Sequence, residues 1–339
     1  MKRALFAVAL FALAVGCKDK STTPEVAGEG GAPAPSGKRL KIAVIPKGTT
    51  HEFWKSVHAG AVKAAKETDV DIVWKGPLKE DDLKAQIDVV DTFVAQGVSG
   101  IVLAPLNDAA LKTPVKRAKD QKIPTVIFDS DLQGDDHVSF VATDNQAAGK
   151  IGAEAMKKIL GGKGNLLVLR YQEGSASTTN REKGFLDAVK SVPDFKIISD
   201  NQYGGATGET AFKKAESLLV AHKASSGEVQ GVFAPNESTT FGMLQALKKS
   251  GTNKKVKFIG FDSSETLINA LKDGDIDGLV VQNPFNMGYT AVKTMGDHLK
   301  GTKVEKRIDT GARLVEKANL EDPAVKEIIA PDLKKWLNE

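Results

Sequence analysis

A short apolar run, Val256, Phe258, Ile259 and Phe261, breaks off at Asp262, and a helical pattern begins at once across residues 263–272. The run is too short for a helix of its own and is rich in β-formers, so it reads as a buried strand. A buried parallel strand that ends on a polar side chain and turns directly into a helix is one βα unit. In open sheets of such units, ligands sit beyond the carboxyl ends of the strands, where those side chains converge. Asp262 also fits a helix N-cap, a role that strand-to-helix turns favour. Recurrence decides between the two.

The unit recurs along most of the chain. Strands are predicted over 40–45, 71–74, 100–104, 125–128 and 138–142, with helices over 51–69, 80–96 and 108–121 among them. The alternation then restarts with a helix over 146–160 and strands over 165–169, 196–199, 231–234, 256–261 and 277–281. Its intervening helices are predicted over 180–192, 209–221, 240–249 and 263–272. A last long helix over 287–300 precedes a polar, strand-like tail around 310–315. Two successive runs of similar length predict an α/β protein of two doubly wound, parallel-sheet (Rossmann-like) lobes. Nearly every strand ends on a hydrogen-bonding side chain: Asn107, Asp129, Asp144, Arg170, Asn236, Asp262 and Gln282. Capping accounts for the aspartates and asparagines but not for Arg170 or Gln282, so the strand ends point to a binding site shared by both lobes.

The amino terminus has a different character. Met1-Lys2-Arg3 is a basic start and Ala4 to Val15 an apolar run of signal-peptide length, too short to cross a bilayer, which takes about 20 apolar residues. Ala14-Val15-Gly16-Cys17 resembles a bacterial lipobox, with a small residue directly before the cysteine and Leu13 four places ahead of it rather than three. Residues 1–16 are therefore expected to be an export signal, with Cys17 carrying a thioether lipid anchor. Cys17 is the only cysteine, which rules out an internal disulfide. Residues 17–38, rich in Ser, Thr, Pro, Gly and Ala, cannot bury enough apolar surface to offset chain entropy and read as a flexible tether. The formal net charge of +4 includes Lys2 and Arg3, and no basic run with interleaved aromatics occurs, so no nucleic-acid partner is expected.

Seven segments, in order, carry a family resemblance: His51-Glu52-Phe53-Trp54, residues 126–130, residues 143–149, residues 180–185, residues 234–237, Gly260-Phe261-Asp262 and residues 281–284. Together they resemble the bacterial periplasmic sugar-binding proteins of the ribose-binding type, the receptors of ABC importers, with the type 1 periplasmic binding protein fold. The resemblance implies lobes of residues 39–143 with 283–310 and 144–282 with 311–339, joined by a three-strand hinge. It implies a monomer that closes on a monosaccharide or related polyol and passes it to an ABC permease. Such a receptor needs no cofactor or metal. It would stand on the periplasmic or cell-surface side of the cytoplasmic membrane, held there only by its lipid anchor. The family's ring-stacking aromatics match Phe53, Trp54 and Tyr203, and its polar ligands match His51, Asp129, Arg181, Asn236, Asp262 and Gln282. Aromatic faces suit the C–H side of a sugar and charged groups its hydroxyl rim. Ser130 stands where ribose-type members carry arginine, and His51 where they carry asparagine. Lys47 either replaces the missing cation or is a solvated loop lysine. Ribose is accordingly expected to bind weakly.

An exported α/β enzyme is the rival class. Only Gly48 follows the first strand, so no Gly-x-Gly-x-x-Gly cradle exists there, and neither a phosphate-binding loop nor a Gly-x-Ser-x-Gly elbow occurs. His51, His58, His137, His222 and His298 show no metal-ligand spacing. Glu80-Asp81-Asp82 reads as the acidic first turn of a helix rather than an acid/base pair. The chain is therefore not expected to be an enzyme. A receptor reporting to a chemoreceptor or sensor kinase would use the same cleft as an importer's. The related sugar-responsive repressors carry a helix-turn-helix where this chain has its export signal and tether.

Overall fold

The computed structural model describes residues 39–337; the expected export signal, Cys17 and the tether lie outside the described residues. The chain first forms β1 (Lys41–Ile45), α1 (Glu52–Thr68), β2 (Asp71–Trp74), α2 (Leu83–Ala95), β3 (Gly100–Leu103), α3 (Lys112–Asp120), β4 (Thr125–Phe128) and β5 (Ser139–Ala142). It continues with α4 (Asn145–Leu160), β6 (Gly164–Arg170), α5 (Ala176–Lys190), β7 (Phe195–Tyr203), α6 (Gly208–Ala221), β8 (Gly231–Phe233), α7 (Glu237–Lys249) and β9 (Lys257–Phe261). The last elements are α8 (Glu265–Asp273), β10 (Gly278–Gln282), α9 (Pro284–Leu299), β11 (Arg307–Asp309), β12 (Ala312–Val315) and α10 (Pro323–Ile329).

These build two lobes with matching sheets. One has the order β11-β5-β4-β3-β1-β2 and the other β12-β10-β9-β8-β6-β7, so β6 to β10 repeat the arrangement of β1 to β5. All neighbours are parallel except the edge pair β10 and β12. β3, β4 and β5 are buried at every residue, which is why they read as unbroken apolar runs. Helices cover both faces of each sheet. Val57 of α1 and Val292 of α9 pack on one face of the first sheet, Phe93 of α2 and Val115 of α3 on the other. In the second lobe, Met156 of α4 and Phe185 of α5 share one face, and Leu218 of α6, Leu244 of α7 and Leu267 of α8 share the other.

Each lobe contains a helix pair in which a glycine on either helix faces the other's carbonyl at close range. A Cβ on Gly60 would lie 1.9 Å from the Phe285 carbonyl oxygen, and one on Gly288 2.0 Å from that of Val57. The crossing of α4 and α5 repeats this: Gly149 meets the Arg181 carbonyl at 2.0 Å and Gly184 that of Gln146 at 2.1 Å. Only a hydrogen in place of a side chain permits such approach. Thus α1 and α9, and α4 and α5, are fixed against each other by their backbones.

The chain passes between the sheets after β5, after β10 and between β11 and β12. Two of these crossings are tied together. The Asp309 carboxylate accepts from Asp144 N at 2.9 Å and Gly311 N at 2.8 Å, and the Thr143 hydroxyl donates to the Gly311 carbonyl at 3.2 Å. The crossing after β5 and the one between β11 and β12 are thus joined by hydrogen bonds.

Several elements differ from the sequence reading. The helix expected from residue 108 starts at Lys112, because Asn107 Oδ1 accepts from Ala109 N and Ala110 N and holds a turn there first. α5 starts at Ala176 rather than 180: its Ser/Thr-rich first turn looked like loop, and Arg181 therefore sits in the second turn. β7 runs to Tyr203, past the expected end at 199, through register shifts against β6. α9 starts at Pro284, where proline suits a first helical turn and Asn283 Oδ1 caps Asn286 N at 3.0 Å. β11 and α10 were not foreseen.

Candidate functional site

A small cavity lies between the carboxyl ends of the two sheets, with about 330 Å³ of space free of protein atoms when the solvent open to it is included. The first lobe lines it with Lys47, His51, Phe53, Trp54, Glu80 and Asp129. The second supplies Tyr171, Ser177, Thr178, Arg181, Asn236, Glu237, Asp262 and Gln282.

Asp129 and Asp262 hold equivalent places, one residue beyond β4 and β9. Both are in the left-handed region, with φ of 60° and 66°, a conformation that aspartate tolerates better than most residues. Each keeps its N–H in the sheet, Asp129 donating to the Val141 carbonyl at 3.0 Å and Asp262 to that of Val280 at 2.9 Å. The turn thus carries the carboxylate off the sheet edge into the cavity without losing the ladder. Asp262 accepts from Gln282 Nε2 at 2.7 Å and Glu237 N at 3.0 Å and lies 4.0 Å from Arg181 Nη1. Burial pushes its carboxyl up from the usual range, with Arg181 opposing.

Lys47 is not a solvated loop lysine: it is buried, with Nζ 3.1 Å from Asp129 Oδ2. It also donates to Ser177 Oγ at 3.0 Å and Ser175 Oγ at 3.3 Å in the second lobe, so all three of its protons have acceptors. Ser130 is buried but does not line the cavity; its hydroxyl accepts from Ser177 N at 3.1 Å, across the lobes. His51 Nδ1 meets Glu80 Oε1 at 2.7 Å. Burial works against both charges, but their attraction prevails, raising His51 to about 9 and lowering Glu80 to about 2.

Arg181 projects from α5 with Nε donating to Asn145 Oδ1 at 2.7 Å and Nη1 to the Pro235 carbonyl at 3.0 Å. Burial pushes its guanidinium down. Its Nη2 has no hydrogen-bond partner, and neither has Gln282 Oε1. Asn236 caps α7, accepting from Thr239 N at 3.2 Å. Glu237 reaches across the cleft, its carboxylate accepting from Phe53 N at 3.1 Å and Glu52 N at 3.3 Å at the start of α1. Burial raises its carboxyl to about 7. In return, Glu52 accepts from Glu265 N at 3.1 Å, at the start of α8. Each lobe thereby lends a carboxylate to a helix amino terminus of the other.

The structure brings His51, Phe53, Trp54, Asp129, Arg181, Asn236, Asp262, Gln282 and Lys47 to one cavity. Tyr203 lies outside it. It ends β7, the edge strand of its sheet, with its ring 4.8 Å from the Arg170 guanidinium. Arg170 itself pairs with Glu182 at 2.6 Å rather than facing the cavity. The aromatic that the second lobe brings in is Tyr171, just past the end of central β6. Glu80 was misread as part of a helical first turn; α2 begins only at Leu83, capped by Asp82, and Glu80 is buried before it. Glu237 and Tyr171 were also missed; the only available signal was that each directly follows a strand-end residue singled out above. Among the described residues, no group of three or more His, Cys, Asp or Glu side chains is arranged to hold a metal ion.

Residues 42–303 match the profile of the periplasmic binding protein domain family. The chain is 27% identical over 287 residues to the ribose import binding protein of Bacillus subtilis, covering 83% of this chain and 90% of that protein. It is 31% identical over 219 residues to a xylitol-binding protein of Mycolicibacterium smegmatis, a match spanning 65% of this chain and just 61% of that protein's length. Among solved structures, a carbohydrate transporter solute-binding protein from Agrobacterium radiobacter, in complex with D-arabinose, is 36% identical, with a TM-score of 0.81. That match covers 86% of this chain and 99% of the other.

Proposed function

The chain belongs to the periplasmic binding protein domain family, and on that premise we propose that it captures a neutral monosaccharide or polyol between its lobes and delivers it to an ABC importer. The reading rests on the two unpartnered atoms. Arg181 Nη2 is a buried donor and Gln282 Oε1 a buried acceptor, both on residues lining one cavity. Leaving either unmet costs about 1–3 kcal/mol, and a hydroxyl, which donates and accepts, answers both. Charge selects neutrality: among the lining residues Lys47 is paired with Asp129, His51 with Glu80 and Arg181 with Asp262, leaving no cation for an acidic ligand. The relatives' ligands, ribose, xylitol and D-arabinose, are all uncharged and hydroxyl-rich.

His51, Phe53, Trp54, Asp129, Arg181, Asn236, Asp262 and Gln282 would be the contact residues, with the lobes divided as residues 39–143 with 283–310 and 144–282 with the tail. Calorimetry against D-arabinose, D-ribose, xylitol and D-arabinonate tests the reading. At least one neutral member is expected to bind, D-ribose more weakly than D-arabinose because Ser130 stands where ribose-type members carry arginine, and D-arabinonate not at all. Tighter binding of the acid, or no binding of any neutral member, overturns it. The receptor acts in the periplasm as a monomer. Cys17 is its proposed lipid anchor, so mass spectrometry of membrane-derived protein should find a diacylglyceryl group on Cys17 at a new amino terminus.

A further inference from the structure

Three ring side chains of the cavity, drawn from both lobes, converge on one carboxylate. Glu80 comes in from the loop between β2 and α2, and the loop after β1 is kept bare for it: a Cβ on Gly48 would lie 2.8 Å from Glu80 Cγ. Oε1 accepts from Trp54 Nε1 at 2.5 Å and meets His51 at 2.7 Å, Oε2 accepts from the Tyr171 hydroxyl, and the backbone carbonyl accepts from Gln172 Nε2 at 3.0 Å. His51 and Trp54 belong to the first lobe, Tyr171 and Gln172 to the second. The terminal torsions of His, Trp and Tyr are intrinsically broad. A charge-assisted hydrogen bond to a fixed carboxylate orients the His51 and Trp54 rings through their N–H groups and fixes where the Tyr171 hydroxyl, on its ring axis, sits.

We infer that Glu80 is a positioning and specificity-determining residue, holding the His51, Trp54 and Tyr171 rings in the one arrangement that decides which sugar or polyol the closed cavity accepts. Glu80 acts through those rings, since its side-chain bonds all go to protein groups. The inference rests on the proposed sugar-binding role. The charged neighbours of the cluster are Lys47 before α1, Asp81 beside Glu80, Asp129 after β4, Arg181 on α5, Glu237 on α7 and Asp262 after β9. With His51 held up to about 9 and Glu80 down to about 2, the pair stays charged through neutral pH.

Glu80→Gln keeps the shape and removes the charge. In this variant the His51 titration midpoint, followed by NMR, should fall into the ordinary imidazole range, and the Trp54 indole N–H resonance should move. The ratio of D-arabinose to xylitol affinity should change at least tenfold. Ratios among D-arabinose, D-ribose and xylitol that stay within threefold of wild type overturn the proposal, because a merely structural residue would weaken all three alike. If the wild type binds none of them, the sugar-binding reading fails by itself, and an unmoved His51 midpoint and Trp54 resonance then overturn the positioning role. Should Glu80→Gln not fold, Tyr171→Phe removes the hydroxyl that bonds Glu80 and leaves the ring. A tenfold change of ratio in it supports the proposal, and a kept ratio overturns it.

Discussion

His51 and Glu237 give the site a dependence on pH that can be worked out one side chain at a time. His51 is raised from 6.5 to about 9 in the fold, so its contribution is complete below pH 6.5 and is lost as pH climbs through 9. Glu237 is a carboxyl raised from 4.5 to about 7, so the fold favours its protonated form; that contribution too is lost as pH rises, through the window from 4.5 to 7. The two signs agree, and the His51 share is on the order of 3 kcal/mol. Melting temperature should therefore decline from about pH 5 to about pH 9.5. Glu237→Gln, neutral throughout, should flatten the acidic part of that decline and melt above wild type at about pH 8; a variant that melts lower there contradicts the assignment. Such behaviour was only partly legible in the sequence. Asp129 and Asp262 announce themselves, because an apolar run that halts at an aspartate before a helix has few readings. Glu80 does not, since an acidic triplet ahead of a helix looks like dipole compensation until the loop before it is seen to turn inward.

Among the elements, the paired helix crossings set the positions of the side chains above. α1 carries Phe53 and Trp54 and is locked to α9; α5 carries Arg181 and is locked to α4 through the Arg181 carbonyl itself. Gly149→Ala should force α4 and α5 apart at a cost of about 1–3 kcal/mol, the usual range for overpacking. Denaturant unfolding measures this, and ligand affinity should fall with it because Arg181 moves. Unchanged stability would mean that the crossing is softer than its geometry. The alternation of strand and helix was readable because central parallel strands are apolar on both faces while their helices keep one polar side. Helix starts were less so: at α5 the Ser/Thr-rich turn is compatible with loop, and the packing of Gly149 and Gly184 decides in favour of helix. The short edge strand β11 has no apolar run to reveal it; it exists because β5 offers it an open edge.

The proposed capture of a ligand would join the two lobes as a whole. A ligand favours the closed form only by touching both, since equal affinity for two states shifts neither. Asp129→Ala and Asp262→Ala each remove one lobe's carboxylate and should cost on the order of 1.5–3 kcal/mol in affinity. Small-angle scattering should show the wild type contracting on saturation and both variants failing to contract at the same ligand concentration. A wild-type radius that never changes while calorimetry shows saturation would rule out the hinge. The threading of the chain has one more effect. Each sheet has five strands in one run, β1 to β5 and β6 to β10, and takes its edge strand, β11 or β12, from beyond residue 283; the lobes differ in that α1 packs on α9, which also lies beyond residue 283, whereas α5 packs on α4, which directly precedes it in the lobe. Synthesis proceeds from the amino terminus, and segments generally consolidate as units once complete. The half of the molecule that is made first therefore keeps the α9-facing side of α1 uncovered until the half made second has followed it.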